Sequence, residues 1–188
     1  MKIHKTEFPG LLIIEPDVFG DQRGYFFESY NKQKFEANEL HLNFVQDNFS
    51  KSIKGTIRGL HFQIEPYAQG KLCQVIKGEV LDVAVDLRKN SPTFGKHFSI
   101  NLSEENHLQL WIPVGFAHGF SVLSDDAIFH YKCTNFYNRE SERILRYDDP
   151  DLGIDWKVEN PIVSEKDRNG EFFKDLPTYF EFGVKNGL

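Results

Sequence analysis

The stretch WIPVGFAHGF, residues 111–120, decides the fold of this chain. Within it, Pro113, Gly115 and His118 form a PxGxxH pattern between two runs of apolar residues. Proline and glycine favour tight reversals of the backbone, and short apolar runs bounded by such residues are typical of strands. The stretch therefore predicts two short strands joined by a tight turn, with a histidine just inside the second strand.

Similar short runs recur along the chain between turn residues, a pattern typical of a β-sandwich or β-barrel. The 18 phenylalanines and seven tyrosines suit pleated, half-buried surfaces. Only residues 31–39, with Asn31 as a cap, and the segment after Ser164 indicate helices. The sequence predicts a mainly β chain of short antiparallel strands, among them GLLIIEP, YFFESY, NFVQDNF, TIRGLHFQ, KLCQVI, VLDVAVDL, FSINL, LQLWIPV, HGFSVL and AIFHYKCTNF.

A second motif lies upstream of the first. Gly55 stands six residues before His61, and Gln63, Lys71 and Gly78 follow. Together with the PxGxxH turn, these positions resemble the two sequence motifs of the cupins. The resemblance implies a cupin-type antiparallel β-barrel, also described as a double-stranded β-helix or jelly roll, with the short helices at its periphery.

The residues at the cupin metal positions argue against a metal site. A metal-binding cupin uses three histidines and one acidic residue, and this sequence has at those positions His61, Gln63, Lys71 and His118. A lysine ammonium repels a cation, and a glutamine amide is a poorer ligand for zinc or iron than imidazole. We therefore expect no bound metal.

The interval between Gln63 and Lys71 suits a hairpin with a loop at residues 64–70. In such a hairpin Gln63 lies opposite Lys71, and His61 lies opposite Cys73. Directly opposed residues project from the same face of a sheet. The pattern therefore predicts that His61, Gln63 and Lys71 converge inside the barrel.

Five motifs carry a closer resemblance. They are RGLHFQ at residues 58–63, SPTFG at 91–95, the PxGxxH turn, DPDLGIDW at 149–156 and SEKD at 164–167. Their order and spacing closely resemble those of the dTDP-4-dehydrorhamnose 3,5-epimerases over nearly the whole chain. The resemblance implies a homodimer that acts without a cofactor in dTDP-rhamnose biosynthesis. It would invert C3 and C5 of dTDP-4-dehydro-6-deoxy-D-glucose, giving dTDP-4-dehydro-L-rhamnose.

The same resemblance implies roles for individual residues. His61 would be the catalytic base, Asp167 the carboxylate that orients it, and Tyr131 the acid. In the family the N-terminal region reaches into the neighbouring subunit, so Arg23 and Glu28 would complete the partner's site. The positions that match substrate-binding residues of the family are Arg23, Glu28, Gln46, Asn48, Arg58, Lys71, His118, Tyr137, Glu142 and Lys166.

The reaction explains these residue types. The protons at C3 and C5 flank the C4 ketone, so removal of either gives an enolate, and reprotonation from the opposite face inverts the carbon. Neutral imidazole suits His61 as the base, and Tyr131 supplies a phenolic proton from the other wall. Lys71 is the candidate donor to the enolate oxygen. Arg23 and Arg58 suit the diphosphate, because guanidinium groups bind phosphate oxygens in a bidentate way.

Other interpretations of these residues remain open. An isolated histidine is most often a surface or hydrogen-bonded core residue, and Lys71 could lie along the barrel edge. Tyr131 could be a packed strand residue, and Asp167 could be an exposed residue in a first helical turn. The alternative functions are a 3-epimerase or 3,4-ketoisomerase of a related dTDP-keto sugar, a metal-dependent cupin, and a non-catalytic sugar-binding cupin.

Length and composition set the remaining expectations. A chain of 188 residues suits one domain, here residues 1–188 with an N-terminal arm and a C-terminal extension. The formal net charge of -6 argues against nucleic-acid binding, which depends on clustered Lys and Arg. The chain shows neither a leader pattern nor an apolar stretch of about 18 residues, so we expect a cytoplasmic protein without membrane contact. Cys73 and Cys133 fall in no CxxC pattern, which favours a reduced interior.

Overall fold

Short strands make up most of the structure, a computed structural model that describes residues 1–183. Two helices, α1 (Lys32–Glu36) and α2 (Glu165–Arg168), and a 3-10 turn at Phe173–Asp175 accompany them. In chain order the strands are β1 (Lys2–Lys5), β2 (Leu12–Glu15), β3 (Phe19–Asp21), β4 (Gly24–Phe26), β5 (Gln46–Ile53), β6 (Thr56–Gln63), β7 (Lys71–Lys77), β8 (Glu79–Asp86), β9 (Arg88–Lys89), β10 (His97–Ser103), β11 (Gln109–Ile112), β12 (Phe116–Val122), β13 (Asp126–Cys133), β14 (Glu142–Ile144), β15 (Ile162–Val163) and β16 (Phe180–Glu181).

Two facing sheets form the barrel. The first sheet has the strand order β1-β2-β11-β7-β13-β5, and the second has the order β10-β8-β12-β6-β14, with β15 also beside β6. Neighbouring strands on these two paths are antiparallel, which confirms the predicted cupin-type antiparallel β-barrel. The sequence pattern did not predict the two short parallel pairs, β15 with β6 and β16 with β9.

Apolar side chains fill the space between the two sheets. Leu110 and Phe129 of the first sheet belong to the same buried cluster as Val80 and Phe120 of the second. Phe120 stacks on Phe129 with 4.3 Å between the ring centroids. Side chains alternate between the faces of a strand, so every second residue of these strands enters this core. The cluster reaches along β7 as far as Cys73 and leaves Lys71, at the start of that strand, for the site.

The rest of the chain covers part of the outer face of each sheet. Leu60 and Phe62 of the second sheet pack in a cluster with Trp156 and Phe180 from the segment after β14. On the first sheet, Leu72 and Trp111 pack with Phe35 of α1. The chain that follows the barrel strands therefore lies outside the second sheet and supports β6 from behind.

Both helices begin at the predicted caps. The side chain of Asn31 accepts a hydrogen bond from the Lys34 N–H, and the side chain of Ser164 accepts one from the Asp167 N–H. Helix α1 ends before the predicted position 39, where Glu39 has a φ of 63°, outside the helical region. No helix of the described residues is long and apolar enough to span a membrane.

The predicted hairpin between β6 and β7 is wrong. Strand β6 pairs with β12 and β14 in the second sheet, whereas β7 pairs with β11 and β13 in the first. His61 therefore lies opposite His118 and not opposite Cys73. Residues 64–70 carry the chain from one sheet to the other, and spacing alone does not distinguish such a crossing from a hairpin loop. Because the two sheets face each other, His61 and Lys71 still meet across the barrel interior.

Candidate active site

A cavity of about 130 Å³ lies between the two sheets. Its walls combine carboxylate, amide, imidazole, ammonium and phenol groups, so it offers proton donors and acceptors at close range. The structure brings together there the predicted residues His61, Lys71 and Tyr131. The complete lining is Gln46, Asn48, His61, Phe62, Gln63, Gln69, Lys71, Tyr131, Cys133, Tyr137 and Glu142.

His61 and Asp167 form a hydrogen-bonded pair on the wall made by the second sheet. His61 Nε2 lies 2.7 Å from Asp167 Oδ1. The histidine side chain is 31% exposed, whereas that of Asp167 is 6% exposed. A neutral imidazole that gives its Nε2 proton to Asp167 leaves Nδ1 unprotonated. The pair can therefore accept a proton at Nδ1 while the buried carboxylate stabilises the resulting imidazolium.

Hydrogen bonds hold both the carboxylate and the backbone of Asp167. Its Oδ2 accepts a hydrogen bond of 3.3 Å from the Gly59 N–H, and its own N–H donates to the Ser164 cap. Burial works to raise the pKa of this carboxyl. The hydrogen bond and charge of His61, with a smaller effect of Gly59, nevertheless bring the Asp167 pKa below its ordinary value. Asp167 is therefore ionised at neutral pH.

Lys71 and Tyr131 lie on the opposite wall, which the first sheet provides. Their strands, β7 and β13, are neighbours, and the Lys71 ammonium is 5.7 Å from the centroid of the Tyr131 ring. Burial raises the pKa of Tyr131 to about 12. The phenol is therefore protonated near neutral pH and able to donate. A base on one wall thus faces an acid and a cation on the other.

Glu142, Lys166 and Tyr137 form a polar network at the edge of the cavity. Glu142 Oε2 accepts hydrogen bonds from Lys166 Nζ at 2.5 Å and from the Tyr137 hydroxyl at 3.0 Å. Burial acts to raise the pKa of Glu142, but the bond and charge of Lys166 bring that pKa below its ordinary value. Gln46 joins the network by accepting a hydrogen bond from the Tyr137 N–H and by donating one to Asn48. The network holds several polar groups ready for a ligand.

Arg58 is exposed and lies outside the cavity lining, on the same strand as His61. Its Nε donates to Ser52 Oγ at 2.9 Å, which ties its guanidinium to β5. Its charge acts to lower the pKa of Tyr131, although burial dominates that pKa. Arg58 is therefore placed to meet an anion that projects out of the cavity.

The N-terminal residues Arg23 and Glu28 do not line the cavity of their own chain. Arg23 lies in the β3–β4 hairpin, is 86% exposed and is hydrogen-bonded to Asp21. Glu28 accepts a hydrogen bond from Asn31 and pairs with Lys34. Their participation in a partner's site stays a prediction.

His118 lies behind the cavity and does not line it. Its side chain is 6% exposed, and its Nε2 is 2.7 Å from Asp82 Oδ1. Burial is the largest influence and brings the pKa of His118 below its ordinary value, against the opposing effect of Asp82. The sequence motifs do not point to Asp82, although an acidic residue inside the apolar run VLDVAVDL is a signal for a buried carboxylate.

One group of residues in the described part of the chain could hold a metal ion. Ligand atoms of Cys73, Asp82 and His118 all lie within 4.8 Å of one another. His118 is the only member of this group that stands at one of the four positions where a metal-binding cupin has its ligands. His61 is bound to Asp167, and the Gln63 amide is bound to backbone groups of the surrounding loops.

Three further lining residues, Phe62, Gln69 and Cys133, were also missed. Cys133 lies opposite Lys71 in the strand pairing, and its sulfur accepts a hydrogen bond of 3.6 Å from Asn48. Because Cys133 follows Tyr131 by two positions on one strand, alternation could have placed it on the same face. Gln69 lies in the crossing loop, whose path follows only from the separation of β6 and β7.

Comparisons with known proteins identify relatives of this chain over nearly its whole length. Residues 5–175 match the family model described as dTDP-4-dehydrorhamnose 3,5-epimerase. The enzyme of that name from Shigella flexneri is 58% identical over 176 residues, which cover 93% of this chain and 97% of the relative. The solved structure of dTDP-4-dehydrorhamnose 3,5-epimerase from Elizabethkingia anophelis is 56% identical with a TM-score of 0.88, and the match covers 93% of this chain and 97% of that one.

A second solved structure is that of dTDP-6-deoxy-D-glucose-3,5-epimerase from Legionella pneumophila, in complex with dTDP-4-keto-L-rhamnose. It is 46% identical with a TM-score of 0.93, and the match covers 97% of this chain and 99% of that one. The likeness thus extends over both sheets and the segments that cover them. This chain belongs to the dTDP-4-dehydrorhamnose 3,5-epimerase family.

Proposed function

We propose that the protein inverts C3 and C5 of dTDP-4-dehydro-6-deoxy-D-glucose and so forms dTDP-4-dehydro-L-rhamnose. The observation that carries this proposal is the placement of two proton-transfer groups on facing walls. His61 and its carboxylate lie on one sheet, and the protonated Tyr131 lies beside Lys71 on the other. Inversion of a carbon in a substrate held in one orientation needs groups on both faces, because the proton leaves from one face and returns to the other.

The first step is removal of a proton from C3 or C5. His61 takes it at Nδ1, and the electrons of the C–H bond move through the ring to the C4 oxygen. The Asp167 carboxylate stabilises the imidazolium that forms. Positioned acid-base groups typically contribute about 10²- to 10⁴-fold to a rate.

The enolate that results needs its own stabilisation. Lys71 carries a fixed positive charge on the cavity wall opposite His61. A fixed donor aimed at a developing oxyanion is worth roughly 10²- to 10³-fold. We therefore assign to Lys71 the stabilisation of the negative charge on the C4 oxygen.

The second step returns a proton to the opposite face of the same carbon. Tyr131 donates its phenolic proton, the C4 ketone forms again, and the carbon is inverted. Because burial raises the Tyr131 pKa to about 12, the phenolate regains a proton from solvent readily at neutral pH, and the His61 imidazolium releases its proton to solvent. The two steps together move only protons and leave the oxidation state of the sugar unchanged. The reaction therefore needs no redox cofactor.

Recognition of the dTDP group falls to the polar residues around the cavity. Arg58 and Lys166 supply positive charge for the diphosphate. Gln46 and Asn48 present amide groups from β5, and the exposed ring of Tyr137 suits stacking on the sugar or the base. His118 supports the cavity from behind through its pair with Asp82.

The acting unit in this proposal is a homodimer with shared sites. Arg23 and Glu28 lie away from the cavity of their own chain, on or beside the exposed β3–β4 hairpin. Phe19 and Phe26 of that hairpin are 65% and 66% exposed, and clustered exposed aromatic residues often mark an interface. An arm docked on the partner would bury these rings and bring Arg23 and Glu28 to the partner's cavity.

The cytoplasm is the compartment that we assign to this reaction. Cys73 and Cys133 are both free and buried. Free thiols persist in reducing compartments, whereas disulfides are typical of oxidising ones.

The test of the proposal is identification of the product. Purified protein is incubated with dTDP-4-dehydro-6-deoxy-D-glucose, and the sugar is followed by proton and carbon NMR. The proposal predicts inversion at C3 and C5 with the ketone still at C4. Inversion at C3 alone would identify a 3-epimerase, and movement of the ketone to C3 would identify a ketoisomerase. Unchanged substrate would contradict any epimerase function.

A further inference from the structure

Strands β6 and β12 pair regularly except at one point. His61 lies opposite His118, and the next pair recorded along the two strands is Arg58 with Phe120. The step is three residues on β6 but two residues on β12. One extra residue on one strand of an antiparallel pair is a β-bulge.

The bulge changes which residues of β6 share a face. Arg58 and His61 are three positions apart, so on a regular strand they would point to opposite faces. In the structure both side chains lie on the face of β6 that borders the cavity. His61 lines the cavity, and Arg58 donates to Ser52, which is on the same face of β5 as the cavity-lining Asn48.

The apolar residues of β6 show the same change of face along the strand. Ile57 and Leu60 are also three positions apart, and both belong to the buried cluster behind the second sheet. Phe62 continues that cluster at the regular spacing of two. The strand therefore exchanges its two faces between residue 58 and residue 61.

The bulge also leaves the backbone N–H of Gly59 available as a hydrogen-bond donor to the pair of His61 and Asp167. The Gly59 N–H donates to Asp167 Oδ2 at 3.3 Å, and Asp167 Oδ1 lies 2.7 Å from His61 Nε2. Both oxygens of the carboxylate are thus held from β6. A carboxylate fixed at both oxygens fixes the orientation of the imidazole that it contacts.

Two glycines permit this geometry. A Cβ on Gly59 would lie 2.6 Å from the Cα of Gly119, and Gly59 also has a φ of 116°. A Cβ on Gly119 would lie 2.6 Å from the carbonyl oxygen of Arg58. Both contacts involve backbone, which cannot rotate away, so the two strands would have to separate.

We infer that the bulge formed by Gly59 and Gly119 positions the base and the diphosphate-binding arginine together. It turns His61 and Arg58 to one face and supplies the Gly59 N–H that anchors Asp167. Gly59 and Gly119 are positioning residues, since neither contributes a side chain to the reaction. The inference rests on the proposed function, which gives His61 and Arg58 their tasks.

Gly119→Ala tests the inference. The φ of Gly119 lies outside the left-handed region, so the substitution probes the close approach and not backbone strain. We expect proton exchange at C3 to fall roughly 10²-fold, because a misplacement of about 1 Å at a catalytic group has effects of that size. We expect weaker binding of dTDP in the same variant, measured by calorimetry, because Arg58 moves with His61.

Val122→Ala is the matched control. Val122 is fully buried on the same strand, so its truncation destabilises the barrel without touching the bulge. We expect this control to retain exchange and dTDP affinity at temperatures where it is folded. If the two variants behave alike, or if Gly119→Ala loses neither property, the positioning role is contradicted.

A measurement on the unchanged protein covers the case in which Gly119→Ala does not fold. The Gly59 amide should be protected from hydrogen exchange with solvent by its bond to Asp167, and Asp167→Ala should abolish that protection. A Gly59 amide that does not respond to this substitution would overturn the inference. Absence of any exchange in the unchanged protein would instead contradict the proposed function.

Discussion

The side chains of the site differ in protonation because their surroundings differ. Burial raises the pKa of Tyr131 to about 12, whereas the bonds from His61 and Gly59 keep the Asp167 pKa below its ordinary value. Groups whose environments give them different pKa values take different roles in acid-base catalysis.

The sequence motifs predicted these residue types and their convergence. They did not reveal Asp82 or the Gly59 donor, because both act through contacts between strands that are distant in sequence.

His61→Asn tests the base. The amide cannot accept the proton, so we expect exchange at C3 and C5 to fall by roughly 10²- to 10⁴-fold, while dTDP binding persists. Exchange is followed by NMR in deuterated water, and binding by calorimetry. His97→Asn, on β10 outside the cavity lining, is the control and should match the unchanged protein. Undiminished exchange in His61→Asn would refute the assignment of the base.

Tyr131→Phe separates proton removal from inversion. The ring remains but the phenolic proton is lost, so His61 can still remove and return a proton on one face. We expect solvent exchange to continue while formation of inverted product falls by roughly 10²-fold or more. Tyr137→Phe serves as the contrast, since it loses the bond to Glu142 and should weaken binding without blocking inversion. Rapid inversion by Tyr131→Phe would mean that another group supplies the proton.

At the scale of elements, regular patterns were predictable and departures from them were not. Alternating runs and turn residues predicted the strands, and the caps at Asn31 and Ser164 are where both helices begin. The β6–β7 hairpin was predicted wrongly, because the same spacing fits a crossing between sheets. The bulge at Gly59 was missed for a related reason. Alternation assumes one residue per partner residue, and only the paired strand shows where that assumption fails.

The loop after β8 depends on one buried carboxylate, which gives a prediction for stability. Asp86 is fully buried and accepts hydrogen bonds from Arg88, Ser91 and Thr93 at 2.6 to 3.0 Å. Burial works to raise the Asp86 pKa, but these partners keep it below its ordinary value. Asp86→Asn should cost about 3–5 kcal/mol of unfolding free energy near pH 7, because it leaves Arg88 without its counter-charge.

The pH dependence of this loss follows from the lowered pKa. A carboxyl whose pKa is lower in the folded state stabilises the fold above its unfolded pKa and stops doing so as pH falls through the folded one. The difference in urea unfolding between Asp86→Asn and the unchanged protein should therefore be full near pH 7 and shrink below about pH 4. A difference that stays constant down to about pH 3 would contradict the proposed role of the charge.

At the scale of the whole molecule, the fold was predictable and the assembly was not. Two short motifs sufficed to predict the barrel, because the turn and strand pattern around them recurs along the chain. Association depends on how exposed surfaces fit together, and the sequence does not show which aromatic residues stay exposed. The structure leaves Phe19 and Phe26 exposed beside Arg23, and this supports the proposal of shared sites.

Mixing two inactive variants tests that proposal. His61→Asn lacks the base, and Arg23→Ala lacks the arm residue. If the arm completes the partner's cavity, a mixed dimer contains one cavity with neither defect, and random assembly restores up to about a quarter of full activity. A mixture of His61→Asn with Arg58→Ala is the control and should restore nothing, because both residues belong to one strand. Equal failure of both mixtures would place Arg23 outside the partner's site.

Solvent deuterium incorporation tests the central claim most directly. The protein is incubated with dTDP-4-dehydro-6-deoxy-D-glucose in deuterated water, and the label in the product is located by NMR. If His61 and Tyr131 act on both carbons beside the ketone, deuterium will appear at C3 and C5 of a doubly inverted sugar. Deuterium at C3 alone, or at neither carbon, would contradict 3,5-epimerisation by this pair.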